Sequence, residues 1–188
     1  RTKMIYTKSS SFFFLISMDH QTSKYLMLIR PRNFSSNEET LASNDFQYGI
    51  SESSNLGQIR ENVDSEFTNI INQLSYHEID HIVFDDIDGL GSPDAIFPNN
   101  WITFHEDGTV VLYPMMSIKR RNERRLDIIE SLSNQGFLVT NTIDMSYLEN
   151  KSHYLEGTGS MILDRVSKKA YACISSRTTS EALSVFSN

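Results

Sequence analysis

Several things are scarce in this 188-residue chain, and each scarcity excludes something. There is one cysteine, Cys173, so no internal disulfide framework can form, and a reducing cytoplasm is the simplest compartment. Positive charge is in short supply: 17 lysines and arginines stand against 24 aspartates and glutamates, and the formal net charge of -7 argues against a general nucleic-acid binder. No long hydrophobic run is present. "FFFLISM" (12–18), behind Lys3 and Lys8, loosely imitates a secretory leader, but no convincing small-residue cleavage site follows it. It is also far shorter than the roughly 20 residues needed to cross a bilayer. The chain opens on Arg1 rather than methionine, which leaves two readings of 1–17: a stretch upstream of a natural start at Met18, or an ordered N-terminal segment. Residues 1–23 are set apart as an extension for this reason.

What is present describes a globular domain. Hydrophobic residues make up 39% and charged residues 22%, in a chain long enough for one real core. "KYLMLIR" (24–30), stopped by Pro31, reads as a buried strand. A polar connection follows, and then Val63, Phe67, Ile70, Ile71 and Leu74 recur at helical spacing between Gln58 and Tyr76. "HIVFDD" reads as a strand with Asp85, Asp86 and Asp88 at its C-terminal edge. "NWITFH" and "TVVLYPM" flank "EDG" as a hairpin. "RRNERRLDIIESLSNQG" reads as one helix stopped by Gly136, with "FLVTNTID" as the next strand. "GSMILDRV" and "KAYACISS" make another strand pair, and "SEALSVF" starts a helix. The class is α/β, with two similar units of strands and helix and a third cut short, so 24–188 looks like an incomplete domain.

Four stretches invite chemistry. "HEIDH" (77–81) matches the zinc-protease pattern, but it falls at a helix-to-strand junction, where a bend points the two histidines apart, so no metal site is expected. "KRRNERR" (119–125) carries five basic residues. It suits a solvated helix start, an anion contact, or one arginine turned inward to a carboxylate, whose geometry the guanidinium fork matches. Cys173, among small and apolar neighbours, reads as a buried inert thiol, and His105 and His153 as ordinary polar residues at strand ends. "EGTGS" (156–160) reads as a turn, with Glu156 at the mouth of a partly buried site, where a carboxylate survives only if hydrogen-bonded or matched by a cation.

"SPDAIFPNNW" (92–101) is denser. Half of the four prolines, two adjacent asparagines, one carboxylate and the sole tryptophan share ten residues. Together with "LIRPRNF", "DGTVVLYPM", "RRNERR", "LEGTGSMILDR" and "AYACISSRT", in that order, it resembles the amidinotransferase-like, guanidino-group-modifying (pentein) superfamily. The resemblance is strongest to bacterial citrulline-hydrolase and dimethylarginine-hydrolase-like proteins, and it runs from about Leu28 to the end. It implies an α/β propeller of five ββαβ units around a polar channel, of which about three would lie here. It implies that Asp94 holds the amino-acid end of a small free amino acid and that Arg177 grips its α-carboxylate. Glu156 would support a catalytic histidine and the leaving nitrogen. Arg121, or its neighbour Arg120, would be a second arginine contact. No cofactor, nucleic acid or membrane partner is implied.

At Asn100 the relatives that process arginine carry an aspartate facing the cationic guanidinium. A neutral amide forfeits that charge-assisted pairing, yet offers both donor and acceptor to an uncharged ureido group. The expected reaction is therefore hydrolysis of citrulline to ornithine, ammonia and carbon dioxide, with deimination of arginine or dimethylarginine as the alternative. The implied mechanism is covalent: a cysteine thiolate attacks the ureido carbon and a histidine shuttles the proton. Cys173 lies too early and in the wrong strand to be that nucleophile, and no histidine follows His153. The chain is expected to carry the substrate loops and Glu156 without the nucleophile. A non-catalytic binding or regulatory role, or the zinc protease of "HEIDH", are the rival readings.

Overall fold

The computed structural model describes residues 21–35, 37–41, 55–87, 89 and 91–188. "FFFLISM", Met18 and Asp88 lie outside the described residues. The first pair of strands, β1 (Tyr25–Arg30) and β2 (Asp80–Asp85), is parallel, with Ile29 opposite Phe84. Between them come the short helix α1 (Glu38–Leu41) and the long helix α2 (Leu56–Tyr76). Asn55 caps α2 by accepting from the Gln58 backbone N–H, as an N-cap asparagine does. Phe67 is its buried anchor, with the Arg30 guanidinium 4.9 Å above the ring. The helix stops before Glu78, which takes a left-handed φ of 55°. His77 thus caps α2 while His81 lies on β2, and the two histidines of "HEIDH" belong to different elements.

The central sheet holds β3 (Ile102–Phe104), β4 (Thr109–Leu112) and β5 (Asn141–Asp144) in that order, antiparallel then parallel. This is a ββαβ unit, its crossover made by α3 (Ile118–Arg121) and α4 (Leu126–Asn134). The single helix expected over 120–135 is therefore two, because Arg124 and Arg125 leave the helical path to reach Glu149 and the Asp85 carbonyl. The strand expected from Phe137 is also shorter, and pairing begins only at Asn141. Strand β4 is buried on both faces, which explains the unbroken apolar run "VVLY". Val110 and Leu112 join Trp101, Ile128 and Leu132 in one core, while Val111 and Tyr113 join Met145, Leu155 and Met161 in another.

Beyond a one-turn helix α5 (Gly157–Ser160), β6 (Met161–Asp164) and β7 (Lys169–Ala172) form a hairpin, and α6 (Ser180–Phe186) follows, capped by Thr179. Cys173 is exposed, contrary to the buried thiol expected. It lies just past β7, and Tyr171 and Ile174 beside it are also exposed, so no second layer covers this edge among the described residues. Gln21 of the N-terminal extension bonds to β6, its amide donating to the Leu163 carbonyl at 2.6 Å and accepting from Arg165 at 2.8 Å. Among the described residues, no helix is long and apolar enough to cross a membrane.

Candidate active site

Glu156 sits at the centre of a buried polar cluster. Its backbone is pinned first: Leu155, fully buried, donates to the Pro114 carbonyl, and the Glu156 N–H donates to Ser160 Oγ. The glycines of "EGTGS" then let this turn press against the 3-10 turn Pro98–Asn100. A Cβ on Gly157, whose φ is 44°, would lie 2.2 Å from the Asn99 carbonyl oxygen. A Cβ on Gly159 would lie 2.4 Å from Asn100 Nδ2. Asn100 is carried by that turn and backed by Trp101, which is 1% exposed. Sequence spacing of 56 residues thereby becomes a contact, with Asn100 Nδ2 3.5 Å from Glu156 Oε2.

The other partners of Glu156 are cationic or backbone. Oε1 accepts from the Met116 N–H at 3.2 Å, and Oε2 lies 3.7 Å from both Arg120 Nη1 and Arg177 Nη1. Arg120 leaves α3 inward and meets three carboxylates: Glu123 through two bonds of 3.0 and 2.9 Å, Asp94 at 3.5 Å, and Glu156. The two-point bond to Glu123 uses the Nε and Nη2 edge and fixes the guanidinium plane. Asp94 is held beside buried Pro93 and Ala95, and its Oδ2 accepts from Asn37 Nδ2 at 2.9 Å. Arg120, Glu123 and Glu156 form a dry floor, with side chains 4%, 1% and 2% exposed. Asp94 and Arg177, at 16% and 23%, form the wetter rim.

Burial opposes charge on this floor. It pushes the Glu123 carboxyl up to about 7, against the pull of Arg120 in the other direction. For Arg120 burial acts downward, but Glu123, Asp94 and Glu156 outweigh it and raise its pKa. Carboxylates outnumber guanidinium groups by one among these five residues. The site can thus hold a zwitterion at its rim and present a buried carboxylate, itself hydrogen-bonded, to a polar tip.

Four residues singled out in the sequence, Asp94, Asn100, Glu156 and Arg177, meet here. Of the two adjacent arginines it is Arg120 that faces the cluster. Arg121 turns away to the Met115 carbonyl at 3.1 Å and Glu149 at 3.2 Å. Sequence reading missed Glu123 and Asn37. Glu123 had a signal in its i,i+3 spacing from Arg120, the distance at which helical side chains pair. Asn37 had only the weak one of an asparagine before "EET". Among the described residues, no group of three histidine, cysteine, aspartate or glutamate side chains is placed to hold a metal ion.

Residues 30–188 match the sequence family described as N,N dimethylarginine dimethylhydrolase, eukaryotic. The chain belongs to that family. No curated protein matches it in sequence, but solved structures do in fold. An arginine dihydrolase, ArgZ, from the ornithine-ammonia cycle of cyanobacteria superposes with a TM-score of 0.58 at 16% identity, over 84% of this chain and 21% of that one. The N-terminal domain of ArgZ, solved with its substrate bound, gives the same score and identity, with 51% of that chain covered. A dimethylarginine dimethylaminohydrolase, solved as an adduct with S-methyl-L-thiocitrulline, gives 0.57 at 15% identity, over 86% of this chain and 54% of that one. The chain thus spans about a fifth of full-length ArgZ and about half of the two shorter neighbours. Its fold is part of the pentein α/β propeller, the fold of guanidino-group hydrolases.

Proposed function

We propose that this member of the dimethylarginine dimethylhydrolase family forms the substrate-holding part of a cytoplasmic, cofactor-independent hydrolase. Its substrate is a free, arginine-like amino acid, and citrulline is the preferred one, converted to ornithine, ammonia and carbon dioxide. The observation that carries the reading is the convergence of Asp94, Asn100, Arg120 and Arg177 around the Glu156 carboxylate. In this reading Asp94 takes the substrate ammonium group and Arg177 its α-carboxylate, because both stand at the rim with opposite charges. Glu156 supports proton transfer to the departing nitrogen. Asn100 faces the ureido tip, where its amide can donate to the oxygen and accept from a nitrogen. The nucleophilic cysteine and the histidine of such a mechanism are not assigned to any of these 188 residues. The neighbours support the substrate class: ArgZ is an arginine dihydrolase, and the third neighbour was captured with a thiocitrulline.

A second reading, deimination of arginine or dimethylarginine, draws on the carboxylate excess of the cluster, which favours a cationic ligand. Turnover of the two substrates by the full-length protein decides between them. Citrulline is expected to be the better substrate, and Asn100→Asp is expected to shift the ratio of kcat/KM toward arginine by about tenfold, the scale of one charge-assisted hydrogen bond. Preference of the unaltered protein for arginine overturns the charge argument.

A further inference from the structure

We propose that Asn37 is a positioning residue of this site, fixing the Asp94 carboxylate so that it can receive the ammonium group of the substrate. The inference rests on the reading above that Asp94 holds that group. Asn37 follows β1 in the chain and is fully buried. Its Nδ2 donates to Asp94 Oδ2 at 2.9 Å and to Ser117 Oγ at 3.3 Å, while its Oδ1 accepts from the Glu39 N–H at 3.2 Å. An asparagine that merely capped the short helix α1 would need only the last of these bonds. Here both donor and acceptor ends are used, and turning the amide over would set its oxygen against the Asp94 carboxylate. The orientation is therefore determined by chemistry.

The clasp extends on the far side. Ser117 Oγ donates to Glu39 Oε2 at 2.6 Å, and the Lys119 N–H donates to the same oxygen at 3.3 Å. The bond from Ser117, ahead of those from the Lys119 and Ile118 backbone, holds the Glu39 carboxyl below its usual range. Ser117 also accepts from the Arg120 N–H at 3.4 Å as the N-cap of α3. The segment 37–39 therefore fastens together the two elements whose side chains meet in the site, Asp94 at the rim and Arg120 on the floor. Asn37 and Arg120 both contact Asp94 through Oδ2, which sets the rotation of the carboxylate about Cβ–Cγ.

The test compares two ligands with the full-length protein: citrulline, and 5-ureidopentanoate, which is citrulline without its amino group. The unaltered protein is expected to bind citrulline more tightly. Asn37→Ala is expected to weaken citrulline about tenfold, the effect of misplacing one hydrogen-bonded carboxylate, and to leave 5-ureidopentanoate within about twofold. In turnover the loss falls on KM rather than kcat. Asn37→Asp, of the same shape but without the donor toward Asp94, repeats the pattern and serves if the alanine variant does not fold. Equal losses for both ligands, or no loss, overturn the positioning role. An unaltered protein that does not distinguish the two ligands overturns the reading of Asp94 itself, whatever the Asn37 variants do.

Discussion

Arg120 is the residue on which the site's stability turns, because a nearly sealed cation needs the carboxylates around it, and the most deeply buried of them, Glu123, takes its two-point bond from this guanidinium. A buried ion pair contributes little net stability over a well-packed apolar pair, but removing one partner leaves the other charged and dry. Arg120→Met should thus destabilise the protein by about 3–5 kcal/mol. Arg121→Met should cost no more than about 1 kcal/mol, since Glu149 keeps Arg124 at 3.1 Å and Arg121 is partly exposed. Chemical denaturation of both variants checks the contrast, and similar losses would remove Arg120 from its central place. Replacing Glu123 by Leu in the Arg120→Met background should recover part of the loss. The text "KRRNERR" holds two interleaved pairs at the same spacing, Arg120 with Glu123 and Arg121 with Arg124. Which pair points inward depends on the rotation of a four-residue helix about its axis. Spacing alone does not fix that rotation, so the sequence left both arginines open.

At the scale of elements, the turn carrying Glu156 shows why the two glycines of "LEGTGS", two positions apart, are not interchangeable. Gly157 has a left-handed φ and backbone at 2.2 Å from any added Cβ, so Gly157→Ala must move the main chain of the Pro98–Asn100 turn. Gly159 meets the end of the Asn100 side chain, which can swing aside. Gly157→Ala is expected to lose about 1–3 kcal/mol of stability. Gly159→Ala is expected to melt close to the unaltered protein yet to lose the citrulline preference, because the displaced group is Asn100. Thermal melts and substrate ratios measured together separate the two, and a stability loss at Gly159 as large as at Gly157 would contradict the geometry. Elements with a local signature were readable from residues alone: α2 from its apolar spacing and the β3–β4 hairpin from "EDG". The split between α3 and α4 was not, since its cause lies in Glu149 and the Asp85 carbonyl, remote in sequence. Cys173 failed for the same reason: an apolar string predicts burial only when a second layer arrives to cover it.

Across the whole molecule, two titrating groups, buried Glu123 and half-buried His105, pull stability in opposite directions as pH changes. His105 follows β3 and is half-buried, with Nε2 3.1 Å from Thr103 Oγ1, which in turn meets the Tyr113 hydroxyl at 2.8 Å. Burial, helped by Arg165 and opposed by Asp107, brings its pKa down from 6.5 to about 4. The unfolded chain then binds the proton first, so the contribution of His105 is complete above pH 6.5 and is lost as the pH falls through about 4. A shift of this size corresponds to roughly 3 kcal/mol at full effect. Glu123 has the reverse sign. With its folded value raised from 4.5 to about 7, its contribution is complete below 4.5 and is lost as pH rises through 7. Between these limits the slopes cancel in part, so the stability curve of the unaltered protein says little about either group. Differences against single variants separate them. The stability gap between the protein and His105→Gln should shrink on acidification from pH 6.5 toward 4, and the gap to Glu123→Gln should shrink on raising the pH from 4.5 toward 7. Parallel curves in the first comparison would mean that His105, beside Thr103 at the end of β3, is as hydrated in the folded protein as in the unfolded chain.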